Sequence, residues 1–233
     1  MKIKSFIITV LAYFSCGTIY AQEVAVDSVV IANEDSCNIE IIQSAIDACI
    51  MLAESVEKGD AATIRKAKEA MQECDLSYFG SLRQQNREEN ESLEGHLVFN
   101  VAFVDSLAEG KNPYKNADNI NRSSIHRGQM QPGQILTKTV FVKANNKSVY
   151  TFNSRDRQEL AIVAEPGGLV TTRVHAVNEQ AGINEWHNDT ADVAKGRSNR
   201  KTAFTLPHSP KSQVTLEIAN CTNKDISVVV ISN

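Results

Sequence analysis

The sequence predicts an α+β protein in which a helical hairpin region is followed by an antiparallel β-sandwich. Early in the chain apolar residues recur at helical spacing, and later short segments alternate between apolar and polar residues. Net charge separates the same two parts. Residues 22–110 carry 18 acidic and 6 basic side chains, a net charge of −12, whereas residues 111–233 carry 10 and 16, a net charge of +6. A change of composition on this scale indicates a domain boundary.

Length and composition set the scale of the fold. The chain has 233 residues, of which 42% are hydrophobic. This suffices for one large domain or two modest ones, and it is too apolar for a disordered protein. We predict a signal peptide over residues 1–21 and a helical region over 22–110, whose hairpin spans 36–76. A linker over 111–124 then leads to a β-sandwich domain over 125–233.

The first 21 residues have the pattern of an export signal. Lys2 and Lys4 precede an apolar stretch at 6–14, and the small residue Ala21 ends the segment. The apolar stretch is too short for a membrane span, and no later stretch approaches the roughly 18 apolar residues that a span needs. We therefore expect an exported chain whose mature form begins at Gln22 and contains no transmembrane segment.

A lipoprotein signal is the alternative for the same segment. Cys16 would then carry the lipid, but Tyr13 stands three positions before it, where such signals have a smaller aliphatic residue. The alternative therefore ranks second. In either case the sequence predicts a periplasmic, cell-surface or extracellular protein.

The helical region predicts two antiparallel helices. Apolar residues of the first recur at Ile41, Ala45, Cys49, Leu52 and Val56, and those of the second at Ile64, Ala67, Met71 and Cys74. Gly59 ends the first helix and Asp60 caps the next, and so short a break favours a hairpin.

Four cysteines remain after the predicted cleavage: Cys37, Cys49, Cys74 and Cys221. An even number in an exported chain favours disulfides. Cys37 opens the first helix of the hairpin and Cys74 closes the second, so we predict that these two are paired. The pattern leaves open whether Cys49 and Cys221 are free or paired. No C-x-x-C sequence indicates a zinc or thioredoxin-type site.

The C-terminal part predicts seven short strands. They lie at 134–143, 148–153, 159–164, 169–177, 201–206, 213–219 and 225–232. Turn residues separate them at this short spacing, which is typical of an antiparallel sandwich. The final run from Ile226 to Ile231 is almost entirely apolar, as expected of a strand that is buried on both faces.

Three stretches carry a resemblance to a known family. They are the strand that contains Tyr150-Thr-Phe152, the strand Glu159–Val163 that follows it, and the later strand Thr202–Pro207 with its preceding loop, which includes Asn188-Asp189. About the last 100 residues resemble the bacterial pre-peptidase C-terminal domain. The resemblance implies a jelly-roll-like sandwich of a non-catalytic kind, some members of which bind substrate or assist export. The chain lacks the family's acidic pair after Gly168.

Familiar catalytic and metal-binding motifs are missing from the sequence. No Ser stands in G-x-S-x-G, and there is neither an H-E-x-x-H sequence nor a Gly-rich phosphate loop. None of the five histidines has a partner at metal-ligand spacing. We therefore expect no cofactor and no metal, and an enzyme becomes the less favoured class.

One polar cluster is a candidate ligand site. It holds the only tryptophan, Trp186, with Asn188 and Asp189, in a predicted loop over 184–200 that also contains Arg197. An exposed aromatic ring can stack on the apolar face of a sugar while amide and carboxylate groups bind its hydroxyls. The interpretation that the sequence favours for Trp186 itself is a tryptophan that folds down onto the edge of the sandwich, since aromatic side chains are mostly buried.

These observations predict a non-catalytic, exported binding or accessory module of the bacterial envelope or secreted fraction, which recognises a glycan or a protein partner. A secreted hydrolase with an unrecognised site is the alternative. A nucleic-acid partner is excluded by the export signal and by the net negative charge of the chain.

Overall fold

A computed structural model describes residues 41–85, 91–123, 134–155, 158–189, 201–206 and 211–233. The predicted signal peptide and Cys37 lie outside the described residues, so the cleavage site and the Cys37–Cys74 disulfide stay predictions. The helices are α1 (Gln43–Lys58), α2 (Ala61–Glu73), α3 (Val101–Ala108) and α4 (Ala117–Ser123), with 3-10 helices at Tyr114–Asn116 and Glu179–Ala181. The strands are β1 (Ser77–Tyr78), β2 (Arg83–Gln84), β3 (Leu136–Val142), β4 (Lys147–Asn153), β5 (Glu159–Ala164), β6 (Val170–Asn178), β7 (Ile183–Asp189), β8 (Lys201–Thr205), β9 (Gln213–Asn220) and β10 (Ile226–Ser232).

The strands form two five-stranded sheets. Sheet A has the order β1-β3-β10-β5-β8, and sheet B has the order β2-β4-β9-β6-β7. Every pairing is antiparallel except that of β1 with β3. The eight longer strands have the order of a jelly roll, in which successive strands change sheets except for the β6–β7 hairpin within sheet B. The predicted α+β class and the jelly-roll-like sandwich are confirmed.

The molecule has a third layer, because the helices cover the outer face of sheet A. All residues of β5 and β10 are buried. Leu160, Ile162 and Val228 face sheet B in one core cluster, whereas Ala161 and Val229 pack into a second cluster with the helices. Burial on both faces explains the nearly continuous apolar sequence of β10.

The two long helices meet at a tight turn. Gly59 adopts a left-handed φ of 65°, and its N–H group bonds to carbonyl oxygens in the last turn of α1. This conformation is costly for residues with a Cβ atom, so glycine is favoured there. Asp60 accepts a bond from the Ala62 N–H. A hydrogen bond from Thr63 is the main cause that lowers the pKa of Asp60.

A carboxylate of sheet A fixes the start of α1. Glu159 is 6% exposed, and its Oε2 atom accepts from the backbone N–H groups of Ile41 and Ile42 at 2.9 and 3.0 Å. These groups precede the first turn of the helix, where unpaired donors and the helix dipole favour a negative charge. Glu159 therefore ties the hairpin to the sandwich.

A second carboxylate fastens the loop before α3. Glu165 Oε1 lies 2.7 Å from His96 Nδ1 and accepts from the Ser227 N–H at 2.8 Å, while Oε2 accepts from the Leu97 N–H at 2.9 Å. The hydrogen bond to Glu165 is the main cause that raises the pKa of His96, and it outweighs desolvation. The helical layer is thus joined to sheet A by buried polar contacts as well as by apolar packing.

Part of the predicted helical region and the predicted linker contribute to the same body. The described residues from 41 to 233 belong to one compact unit. Strands β1 and β2 extend one edge of each sheet. Segment 111–124 contains a 3-10 helix and α4, and its Ala117 is fully buried. Cys49 is a buried free thiol, and burial raises its pKa well above the ordinary value, which makes it unreactive. No helix among the described residues is long and apolar enough to cross a membrane.

Candidate binding face on sheet B

Sheet B exposes the face that points away from sheet A. Alternate residues of its strands pack into the core between the sheets, so the residues between them form a broad outer surface. We call this surface the outer face. Its positions are Arg83, Lys147, Val149, Thr151, Asn153, Thr171, Arg173, His175, Val177, Asn184, Trp186, Gln213, Thr215, Glu217 and Ala219.

A stack of three planar side chains stands at one end of the outer face. Trp186 lies directly opposite His175 in the β6–β7 register. Their rings stack with centroids 3.8 Å apart and planes 3° from parallel. The Arg173 Cζ atom lies 3.7 Å from the centroid of the Trp186 ring. Cation–π attraction and ring stacking both stabilise such an arrangement.

The two contacts occupy opposite faces of the indole. Two groups that both lie within 3.8 Å of the same ring would overlap on one side. Residues 173 and 175 also point to the same side of the sheet, roughly 7 Å apart along the strand, which leaves room for one ring between them. Trp186 remains 43% exposed, and this exposure is therefore mainly along its edge.

The local sequence holds this stack in place. Asn178 accepts from the Ala181 N–H, and Gly182 takes a left-handed φ of 67°, so the chain reverses between β6 and β7. The reversal places Asn184 beside His175, whose Nε2 atom lies 2.7 Å from the Asn184 Oδ1 atom. This contact limits rotation of the imidazole and keeps it parallel to the indole.

The predicted loop over 184–200 was wrong in its first part, because residues up to Asp189 belong to strand β7. Trp186 is exposed and does not fold into the core. The backbone register pairs Asn188 with Arg173 and Asp189 with Thr172. Arg197 lies outside the described residues. The strand is polar because it lies at a sheet edge, and its polar sequence resembles a loop.

Sequence reasoning missed Arg173 and His175. The alternation of β6 places both on one face, so the sequence contained the signal that they are neighbours. Their contact with Trp186 depends on the β6–β7 register, which no local pattern specifies. The pairing of these residues with Trp186 was therefore accessible only from the structure.

The outer face is locally basic. Arg83, Lys147 and Arg173 are its cationic positions, and Glu217 is its acidic one among the described residues. Lys147 Nζ lies 3.4 Å from Glu217 Oε2, so the carboxylate is already paired. This part of sheet B presents positive charge although the whole chain has a net charge of −4.

The His96–Glu165 pair lies near a serine, which raises the question of a catalytic triad. Ser227 is fully buried. Its Oγ atom lies 2.7 Å from the Leu97 carbonyl oxygen and 3.1 Å from Glu165 Oε2. A nucleophilic serine needs its proton directed at a general base and its oxygen accessible to substrate. The Ser227 oxygen is buried, and the cluster instead joins the loop before α3 to sheet A.

A groove of about 370 Å³ lies between α2 and α3. It is open, and ionic groups of both signs line it: Arg65, Lys68, Glu69, Gln72, Ala108 and Glu109. Lys68 is already paired with Asp105 at 2.7 Å. Within the described residues, no group of three or more His, Cys, Asp or Glu side chains could hold a metal ion.

Comparisons with known proteins give low similarity throughout. No protein-family model and no curated protein matches this chain. Among solved structures, it is similar to a periplasmic inhibitor of g-type lysozyme from Salmonella Typhimurium (TM-score 0.30, 17% identity, 46% of this chain and 93% of that chain). It is also similar to the lectin domain of lectinolysin bound to Lewis B antigen (0.27, 12%, 40% and 70%). A third similarity is to a chitosan-binding module from a Paenibacillus species (0.27, 9%, 41% and 76%). TM-scores this low carry no argument about function.

Proposed function

We propose that this protein is a non-catalytic, exported binding or accessory module, and that the outer face of sheet B is its recognition surface. The observation that carries the proposal is the exposed Arg173–Trp186–His175 stack. The helices cover the face of sheet A that points away from sheet B. The stacked aromatic and cationic side chains lie on the corresponding face of sheet B, which no helix covers among the described residues. Tryptophan and arginine are the residue types that most often dominate binding energy.

Recognition on this face can involve a glycan or a protein. Asn188, Asp189 and Arg197 remain proposed contributors beside Trp186. The export signal predicted at residues 1–21 and the resemblance to the pre-peptidase C-terminal domain support a role in the envelope or outside the cell. A secreted hydrolase remains the alternative. Hydrolysis of a glycan or a peptide by the purified protein would support it.

Site-specific photo-crosslinking tests the proposal. A photoreactive amino acid replaces Gln213, which is exposed on the outer face, and in a matched variant it replaces Glu69, which is exposed on α2. In exporting cells we expect the Gln213 position to give a discrete product, identified by mass spectrometry and then reconstituted from purified components. Products formed at Glu69 alone would place recognition on the helices and overturn the proposal.

A further inference from the structure

We infer that the partner of the outer face is an acidic protein surface, and that Arg173 binds one of its carboxylates through Nη1 and Nη2. This inference rests on the proposed function and specifies its ligand. The Arg173 guanidinium lies against the Trp186 ring, with Cζ 3.7 Å from the ring centroid, and this close contact restricts its orientation.

The nitrogen donors of the Arg173 side chain differ in their access to a ligand. Its Nε atom is buried and has no hydrogen-bond partner among the described residues. The two Nη atoms are therefore the donors that can reach a ligand. Together they form a fork whose spacing matches the two oxygens of a carboxylate. Because the guanidinium is held flat, binding requires little further loss of side-chain freedom.

The neighbouring charges favour an anionic ligand. Glu217 lies directly opposite Arg173 in the β6–β9 register. Its carboxylate, however, lies 3.4 Å from Lys147 Nζ and is paired with that residue. Arg173 forms no ion pair among the described residues, so its charge is available. The charges of Lys147 and Glu217 cancel, so Arg83 and Arg173 leave the outer face with a net positive charge, which attracts an acidic surface.

The shape of the site favours a protein over a sugar chain. A sugar that stacks on tryptophan needs one free face of the indole, and His175 and Arg173 occupy both. The outer face is the surface of a five-stranded sheet, and so broad a surface suits a protein partner. Trp186 then acts as a positioning residue, which holds the arginine fork and offers its edge for contact.

Titration of the isotope-labelled protein with short acidic ligands tests the inference by NMR. The probes are a hexaglutamate peptide, a hexaglutamine peptide and an oligogalacturonate of matched charge, all at physiological salt. We expect hexaglutamate to shift the Arg173 Nε–H and Trp186 indole N–H signals with saturation, whereas hexaglutamine leaves them unchanged. Arg173→Lys keeps the charge and loses the fork, and should bind at least about tenfold more weakly.

A control variant separates the fork from net charge. Arg65→Lys makes the same change at an exposed position of α2, and we expect it to leave the affinity for hexaglutamate unaltered. Full affinity in Arg173→Lys would overturn the inference, because charge alone would then suffice. Spectra of each variant must retain the dispersion of the wild-type fold.

Other outcomes distinguish this inference from the proposed function. Saturable binding of oligogalacturonate without hexaglutamate would make the carboxylate source a glycan, which overturns the choice of a protein but leaves the binding face intact. If neither acid binds while the Gln213 crosslink still forms, the inference is wrong and the proposed function stands. If the crosslink is also missing, both fail.

Discussion

Each sheet has a glutamate with a basic partner, Glu165 directly after strand β5 of sheet A and Glu217 in strand β9 of sheet B, but the two pairs stand in different surroundings. Glu165 and His96 lie between sheet A and the helical layer, with side chains 12% and 19% exposed. Glu217 and Lys147 lie on the outer face of sheet B, with side chains 21% and 48% exposed. The first pair also bonds to backbone N–H groups of two segments. The same residue type therefore fastens layers on one sheet and sets surface charge on the other.

The difference between the two sheets determines where a binding site can form in this fold. Polar groups beside sheet A are used by the fold itself, since burial makes unpaired donors and acceptors costly. The ion pair on the outer face of sheet B is more exposed, so its polar groups can change partners at a lower cost. Substitutions beside sheet A should therefore change stability, whereas those on sheet B should mainly change recognition.

The largest effect is expected for Glu165→Ala. The change leaves the N–H groups of Leu97 and Ser227 without their acceptor in a buried site. The free energy of unfolding should therefore fall by about 3 kcal/mol or more. Urea denaturation measures this loss. Glu217→Ala is the matched control, and loss of its exposed pair should cost less than about 1 kcal/mol. Equal losses for the two variants would remove the distinction between the sheets.

A smaller effect is expected for Glu159→Ala. This change removes the acceptor for two N–H groups at the start of α1 and should cost about 1–2 kcal/mol. Hydrogen exchange should show the loss of protection first in α1, with strand β10 less affected. Uniform loss of protection across the chain would contradict a local capping role.

Trp186→Ala should have a modest effect on stability and a large one on recognition. Removal of an edge-exposed ring forfeits one stacking and one cation–π contact, about 1 kcal/mol in total. Binding should fall much further, because Arg173 loses the surface that orients it. Thermal denaturation and titration of the reconstituted partner measure the two effects. A loss of several kcal/mol would instead identify Trp186 as a core residue.

The smallest effect concerns pH. The bond to Glu165 raises the pKa of His96 above its ordinary value of 6.5, so the folded state binds this proton more tightly than the unfolded state. The resulting stabilisation is complete below pH 6.5 and is lost as pH rises through the folded-state pKa. The free energy of unfolding, compared between wild type and His96→Gln, should show an advantage for wild type that shrinks over this interval. An advantage that grows with pH would contradict the assigned direction.

Most of the architecture could be predicted from local patterns of apolar and polar residues in the sequence. The helical spacing from Ala45 to Val56 predicted α1, and the apolar run of β10 predicted a strand with two buried faces, because both signals arise within a few residues. The site was harder to predict. Strand β7 has a polar sequence because it lies at an edge, and the two-residue strands β1 and β2 are too short for any periodicity. The partners of Trp186 follow from register between strands, which is a tertiary property.

The central claim, that the outer face of sheet B is the recognition surface, is tested most directly by blocking that face. Thr215 lies on β9 opposite His175, and Thr215→Glu adds bulk and negative charge there without entering the core. Isothermal titration with the purified partner should show at least about a hundredfold loss of affinity for this variant, because a bulky side chain of like charge would stand in the interface. Gln72→Glu, at an exposed position of α2, should bind as wild type does. Unchanged affinity in Thr215→Glu together with a loss in Gln72→Glu would contradict the claim and move recognition to the helical layer.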